Sequence, residues 1–273
     1  MYKLIAIDLD GTLLDSNKNI SKENIEAIRL AESKGVKVII CSGRIFGGAR
    51  IYAEEALLKE PLIACNGAII KEMKTGRLLY EKTLKDEACY RIIEACHAEN
   101  IYFHAYIGDT MYAERLEFSS LSYTEKNKKL PPERRVDVRV TVDMSHTIKN
   151  SERPASKIVI VSRDFEQLAR ARKKISEIPS IDVVSSDFDN FEVVSSGVSK
   201  GNALKFLARE MDISMSEVAA IGDNENDFSM IKEVGLGIAM QNAEQSLKEI
   251  SDFITSSNDE NGVAKAIKEY ILL

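Results

Sequence analysis

Two carboxylates two residues apart, Asp8 and Asp10, close the run Leu4-Ile5-Ala6-Ile7-Asp8-Leu9-Asp10-Gly11-Thr12. At the end of a strand such a pair leaves the backbone on one side and can address one ligand together. Gly11 lets the chain turn with no side chain in the way. Taken alone, Asp-Gly-Thr also reads as a turn after a core strand. An EF-hand loop fits poorly, because it needs an oxygen ligand at the place of Thr12 and glycine one residue later, and Gly11 comes too early. Further along, acids recur at Asp223 and Asp227, small polar groups at Thr12 and Ser42, and a cation at Lys200. Whether these groups meet depends on the elements that carry them.

Apolar runs set those elements. Leu4 to Ile7, Val36 to Cys41, Leu62 to Cys65 and Val218 to Ile221 are short and rich in aliphatic residues, as buried parallel strands are. Each ends in polar or glycine residues: Asp8, Ser42-Gly43-Arg44, Asn66-Gly67-Ala68 and Gly222-Asp223. Helices are expected between them. One starts at the N-cap Ser21, carries Ile25, Ile28 and Leu30 and ends at Gly35; another runs through Ala49 to Lys59. Ser199-Lys200-Gly201 opens a third, and Gly235 to Ala239, Phe253-Ile254 and a helix from about Asn261 complete the pattern. Alternation at this spacing argues an α/β fold with a doubly wound, Rossmann-like parallel sheet, whose ligands sit beyond the carboxyl ends of the strands.

From about Thr83 the texture changes. A helix over 86–99, paired strands at Ile101 to Ala105 and Thr110 to Glu114, a polar, turn-rich stretch from Ser119 to Arg153, a strand at Ser156 to Val161, a charged helix over 164–178 and strands at Ile181 to Ser185 and Asn190 to Val194 read as an inserted α+β module. The expected division is a core of residues 1–82 and 191–273 with an insert of 83–190.

Composition limits the partners. The chain has 273 residues and 44% hydrophobic content, enough for a sizeable core. A net charge of −6 leaves no footprint for nucleic acid or an anionic membrane, so an anionic substrate needs local cations or a metal. No apolar stretch approaches the roughly 18 to 20 residues that span a bilayer, and the expectation is a cytoplasmic monomer. Cys41, Cys65, Cys89 and Cys96 form no C-x-x-C pair and read as reduced core thiols; His97, His104 and His146 have no metal-site spacing. Ala49 stands where a P-loop has lysine, and no G-x-G-x-x-G follows the first strand.

Together the strand ends supply an inventory for an oxygen-ligated Mg²⁺ and a phosphate. Crowded carboxylates repel unless a divalent ion sits among them. Lys200, at a helix start, suits a phosphate oxygen.

As a set, these residues resemble a known family. Asp8-Leu9-Asp10-Gly11-Thr12 is similar to the first motif of the haloacid dehalogenase superfamily, Ser42 to its second, Lys200 to its third, and Gly222-Asp223-Asn224-Glu225-Asn226-Asp227 to its fourth. With Asn66-Gly67-Ala68 and the insert, the chain resembles the Cof-type branch, phosphatases with a type IIB cap. The resemblance implies a Mg²⁺-dependent phosphatase in which Asp8 is the nucleophile and forms an aspartyl-phosphate. It implies that Asp10 is general acid and base, and that Asp8, the Asp10 carbonyl and Asp223 hold the metal with Asp227 behind them. Thr12, Ser42, Lys200 and Asn226 would hold phosphoryl oxygens. Arg44 and Asn66 are candidate substrate contacts, while His104, Tyr106 and Tyr112 of the cap either line the pocket or pack in their sheet. The implied substrate is a small phosphomonoester: a sugar phosphate, pyridoxal phosphate or a flavin-precursor phosphate. Alternatives are a phosphomutase or phosphotransferase using the same aspartyl-phosphate, and a non-catalytic phosphometabolite-binding protein.

Overall fold

The computed structural model describes residues 2–272. The chain forms two compact units, one of residues 1–44, 49–80 and 199–273 and one of 45–48 and 81–198.

In the first unit the expected parallel sheet is present. Its strands lie in the order Phe253–Ile254, Leu236–Ala239, Val218–Gly222, Leu4–Ile7, Lys37–Ile40. Leu4–Ile7 is fully buried and pairs in parallel on both sides, with Ile7 opposite Ile221 and Ile40. That register explains the site: the residues that follow, Asp8, Gly222 with Asp223, and Cys41 with Ser42, leave adjacent strands at the same edge. The sheet order reverses about this central strand, and the carboxyl ends there form the crevice in which such folds bind ligands.

Some local expectations shift. The first helix, Lys22–Ser33, is capped by Ser21, whose hydroxyl accepts from the Asn24 N–H. Its buried face is Asn24, Ala27, Ile28 and Ala31, while Leu30 is exposed. The turn is set by Asn24, whose Oδ1 accepts from the Ala264 N–H at 2.9 Å and so satisfies a donor at the start of the helix Gly262–Ala266. The next helix is Phe46–Glu55; it stops before Lys59 because Leu57 takes a left-handed φ of 60°. Leu62–Ala64 touches the parallel sheet by one bridge, Cys41 to Ile63, and is the first strand of a small sheet with Ile69–Lys71 and Leu78–Glu81.

The second unit is a six-stranded sheet in the order Ile181–Val184, Asn190–Ser195, Ala155–Val161, Tyr102–Ile107, Thr110–Ala113, Asp137–Val140. The helices Asp86–Ala98 and Phe165–Ser176 bury Ile92, Ile93, Leu168 and Ile175 in a cluster with Phe103, Ile158, Ile160 and Phe191 of the sheet. Arg and Lys of the charged helix stay outside, Arg170 and Lys174 pairing with Glu99. The stretch read as turn-rich contains Phe118–Asn127, Asp137–Val140 and Met144–Lys149. Only Ser120 of Phe118–Asn127 is buried, so that helix buries no apolar face, and Asp137–Val140 is an exposed edge strand although valine alternates through it as Val136, Val138, Val140 and Val142. Asn190–Ser195 is hydrogen-bonded between Ala155–Val161 and Ile181–Val184, so the chain leaves this unit after residue 198, not after 190.

The sheet face away from those helices carries Tyr102, His104 and Tyr106. His104 is fully buried between the two tyrosines, at ring distances of 5.8 and 5.3 Å, and neither ring nitrogen has a hydrogen-bond partner among the described residues. Tyr106 faces the Lys157 ammonium at 5.1 Å, and Tyr112 packs on the helical side. Burial, reinforced by Lys157, pushes the His104 imidazole down to about 3 from its usual 6.5. Between those values the unfolded chain binds a proton that the folded one refuses, so this stability is complete above about 6.5 and is lost as pH falls toward 3. At pH 5 the loss amounts to about 2 kcal/mol. Urea unfolding at pH 7.5 and pH 5 is expected to show His104→Gln losing about that much less than wild type; equal losses would contradict the assignment.

Candidate active site

Asp8 follows the central strand, and its N–H donates to the Ile221 carbonyl. Lys200, the first residue of the helix Lys200–Glu210, is brought alongside by the Ser199 N-cap. Its ammonium donates to Asp8 Oδ1 and to Asp227 Oδ1, both at 2.6 Å, and is fully buried. Asp227 Oδ2 accepts from the backbone N–H groups of Asp223 and Asn224, at 2.9 and 3.1 Å. Asp223 Oδ1 accepts from the Thr12 hydroxyl at 2.6 Å. Oxygens of Asp8, Asp223 and Asp227 lie within 4.8 Å of one another.

Three buried carboxylates are therefore clustered beside a single ammonium, which pairs with Asp8 and Asp227. Burial pushes Asp8 up to about 7, with Lys200 opposing the rise. Asp223 is also raised, by burial and then by the charges of Asp8 and Asp227. Burial works against the Lys200 ammonium, but Asp227 and Asp8 outweigh it and hold its pKa above the lysine range. Excess negative charge among hard oxygen donors is a donor set for a divalent cation. The backbone is fitted closely to it: a Cβ at Gly11, where φ is +78°, would collide with Asp223 Oδ2. Gly11→Ala therefore adds about 1 kcal/mol of backbone strain and displaces Asp223. A loss of about 10-fold or more in divalent-ion affinity is expected by calorimetry. Unchanged affinity would separate Asp223 from the ion.

Asp10 stands in a different environment. Burial alone would raise its carboxyl, but Arg44 and Lys18 override it and hold the group far below the usual carboxylate range. Arg44 grips both oxygens, Nε to Oδ2 and Nη2 to Oδ1 at 2.6 Å each, and Lys18 Nζ donates to Oδ1 at 2.8 Å. Arg44, expected on the substrate, is thus committed to Asp10, with its guanidinium over the Tyr52 ring at 4.8 Å. Lys18 was not anticipated; eight residues from Asp10 on a polar loop, it carries no pattern that would have marked it.

The other expected residues are at the same sheet edge in differing roles. Thr12, expected on phosphoryl oxygens, is fully buried and gives its hydroxyl proton to Asp223. Ser42 is buried, its N–H donating to the Ile63 carbonyl and its Oγ accepting from the Arg44 N–H. Asn226 Nδ2, expected to meet phosphate, donates to Asn66 Oδ1 at 3.2 Å. Asn242, absent from the expected set, donates through Nδ2 to the Gly11 carbonyl at 2.8 Å and braces that turn.

The model of the haloacid dehalogenase-like hydrolase family matches residues 5–267. The chain belongs to that family. Among curated members, phosphatase YwpJ of Bacillus subtilis is 33% identical, the alignment covering 98% of this chain and 100% of that protein. The 5-amino-6-(5-phospho-D-ribitylamino)uracil phosphatase YwtE of Bacillus subtilis is 34% identical, with 98% of each chain covered. A solved haloacid dehalogenase-like hydrolase from B. subtilis superposes with a TM-score of 0.88 at 32% identity, covering 98% of this chain and 99% of the other.

Proposed function

We propose that the chain is a Mg²⁺-dependent phosphatase that hydrolyses small phosphomonoesters through an aspartyl-phosphate on Asp8. The observation that carries this reading is the buried Asp8 carboxylate, held by Lys200 at 2.6 Å beside Asp223 and Asp227. Asp8, Asp223 and the Asp10 carbonyl would hold the ion, with Asp227 fixing the Asp223 backbone through the N–H it accepts. When bound, Mg²⁺ supplies positive charge where the phosphoryl oxygens gather.

The chain's own groups divide the reaction. An Asp8 oxygen forms a bond to phosphorus while the bond to the alcohol oxygen breaks, and that oxygen takes a proton from Asp10. Water then attacks the phosphorus of the aspartyl-phosphate. Its proton passes to Asp10, phosphate leaves, and the Asp8 carboxylate is restored. Asp10 as held by Arg44 and Lys18 is in its basic form, which suits the second half. The first half requires Asp10 to carry a proton, so part of the Arg44 grip must be released while the ester is bound. Lys200 orients Asp8 and neutralises charge around it; Thr12 orients Asp223; Ser42 would bind a phosphoryl oxygen.

The substrate class we favour is a small phosphorylated polyol or sugar, the kind of ester that the name of YwtE describes for that relative. On this reading the enzyme is a cytoplasmic monomer, and a net charge of −6 disfavours polyanionic partners. Phosphate release from a panel of phosphomonoesters, with Mg²⁺ and with chelator, tests it. Metal-dependent release graded by the alcohol is expected; release indifferent to chelator, or none from any ester, would sink it.

A further inference from the structure

Between Leu62–Ala64 and Ile69–Lys71 the chain reverses through three consecutive residues of positive φ: Cys65 at 52°, Asn66 at 58° and Gly67 at 95°. Two of these are not glycine; the left-handed region costs a residue such as Cys65 roughly 1–2 kcal/mol, while asparagine is one of the few side-chain residues that adopt it routinely. Such backbone persists where its surroundings over-determine it. Here the surroundings are the loops of the site. The Cys65 N–H donates to the Arg44 carbonyl at 2.9 Å and the Asn66 N–H to the Ser42 carbonyl at 3.1 Å. A Cβ at Gly67 would collide with the Ser199 carbonyl, so the turn also lies against the cap of the Lys200 helix. Finally, Asn66 Oδ1 accepts from Asn226 Nδ2 at 3.2 Å, with both residues buried.

Three loops that arrive from distant parts of the sequence thus meet one turn. The identity of its central residue separates two jobs. Glycine would serve the backbone with less strain than any other residue, but it has no acceptor. Asn226 needs that acceptor: its own Oδ1 is buried and has no partner among the described residues, so the bond to Asn66 is what fixes the amide.

We infer that Asn66 is a positioning residue for the hydrolysis. Its N–H holds the Ser42 loop, and its side chain sets the Asn226 amide, which the family resemblance implies would address a phosphoryl oxygen. This rests on the phosphatase reading above, and the test keeps the two apart. Asn66→Gly keeps the turn and removes the acceptor. Its melting temperature should match wild type, while kcat for p-nitrophenyl phosphate falls about 10- to 100-fold and the inhibition constant of orthovanadate rises by a similar factor. That constant is insensitive to how much of a sample is correctly folded, so loss of folded enzyme alone would not move it. Asn66→Gly made on top of Asn226→Ser should cost nothing further. An equal added loss in that background, or an unmoved orthovanadate constant, would overturn the inference. The Asn226 side-chain amide, assigned by its disappearance in Asn226→Ser, gives a readout that needs no turnover. Its protons should exchange with water faster in Asn66→Gly, and unchanged exchange would overturn the inference even in a protein that hydrolyses nothing.

Discussion

Asp8→Asn is expected to lower kcat by about 10⁴-fold or more while leaving the metal-free protein at least as stable as wild type. The two halves have one cause. The side chain that would form the covalent intermediate is also one of three clustered, buried carboxylates, two of which pair with the Lys200 ammonium. Its folded pKa is pushed up from 3.8 to about 7, so Asp8 opposes folding increasingly as pH rises from the unfolded value toward 7, and the penalty is fully developed above that. An amide keeps an oxygen for Lys200 and removes that charge. In chelator, the variant's melting temperature should therefore gain more over wild type at pH 8 than at pH 5. A variant that melts well below wild type at both values would show that the Asp8 charge holds the fold together, contrary to the site described here.

Lys200→Met should be the reverse case, losing both activity and stability. The ammonium has no exposure and two carboxylate partners at 2.6 Å. Removing one partner from a buried ionic group typically costs about 3–5 kcal/mol, because the charges left behind are neither hydrated nor paired. Methionine fills most of the volume, so the deficit measures electrostatics and not a cavity. Two further measurements separate this from general damage. Adding Asp227→Asn to Lys200→Met should recover part of the lost stability, since it removes one stranded carboxylate. Divalent cation should stabilise Lys200→Met more than wild type, since positive charge is then scarcer among the same acids. If the double variant is no more stable than the single one, the Lys200–Asp227 pair is not the source of the deficit.

Much of the site was legible in the chain because parallel strands force their ends together. Once Leu4 to Ile7 and Val218 to Ile221 are read as neighbouring buried strands, Asp8 and Asp223 must emerge side by side, and Ser199 with Lys200 marks a helix start by a local rule. Long side chains escape such rules. Arg44 sits two residues past a strand end, but its reach lets it serve substrate or protein, and only the folded chain shows it on both oxygens of Asp10. Thr12, which the resemblance implies would hold a phosphoryl oxygen, carries its hydroxyl one residue past a glycine turn, where it can swing either way; in the structure it donates to Asp223. The inserted unit was harder to read because Phe118–Asn127 buries only Ser120, whereas Asp137–Val140 does carry a strand signal, the alternating Val136, Val138, Val140 and Val142, inside a stretch dominated by charge and by Pro131-Pro132. The limit at residue 190 falls at the start of Asn190–Ser195, a strand whose antiparallel pairing with Ala155–Val161 and Ile181–Val184 keeps it in the inserted unit's sheet.

The central claim is a covalent bond between phosphorus and Asp8. Acid quenching during turnover, followed by borohydride reduction and peptide mass analysis, reads it directly, since an acyl phosphate is reduced and a free carboxylate is not. The peptide carrying Asp8 should be reduced at that residue only when ester and Mg²⁺ are both present, and Asp8→Asn should abolish the signal. Sustained phosphate release with no carboxylate reduced, or with reduction at another residue, would contradict the account.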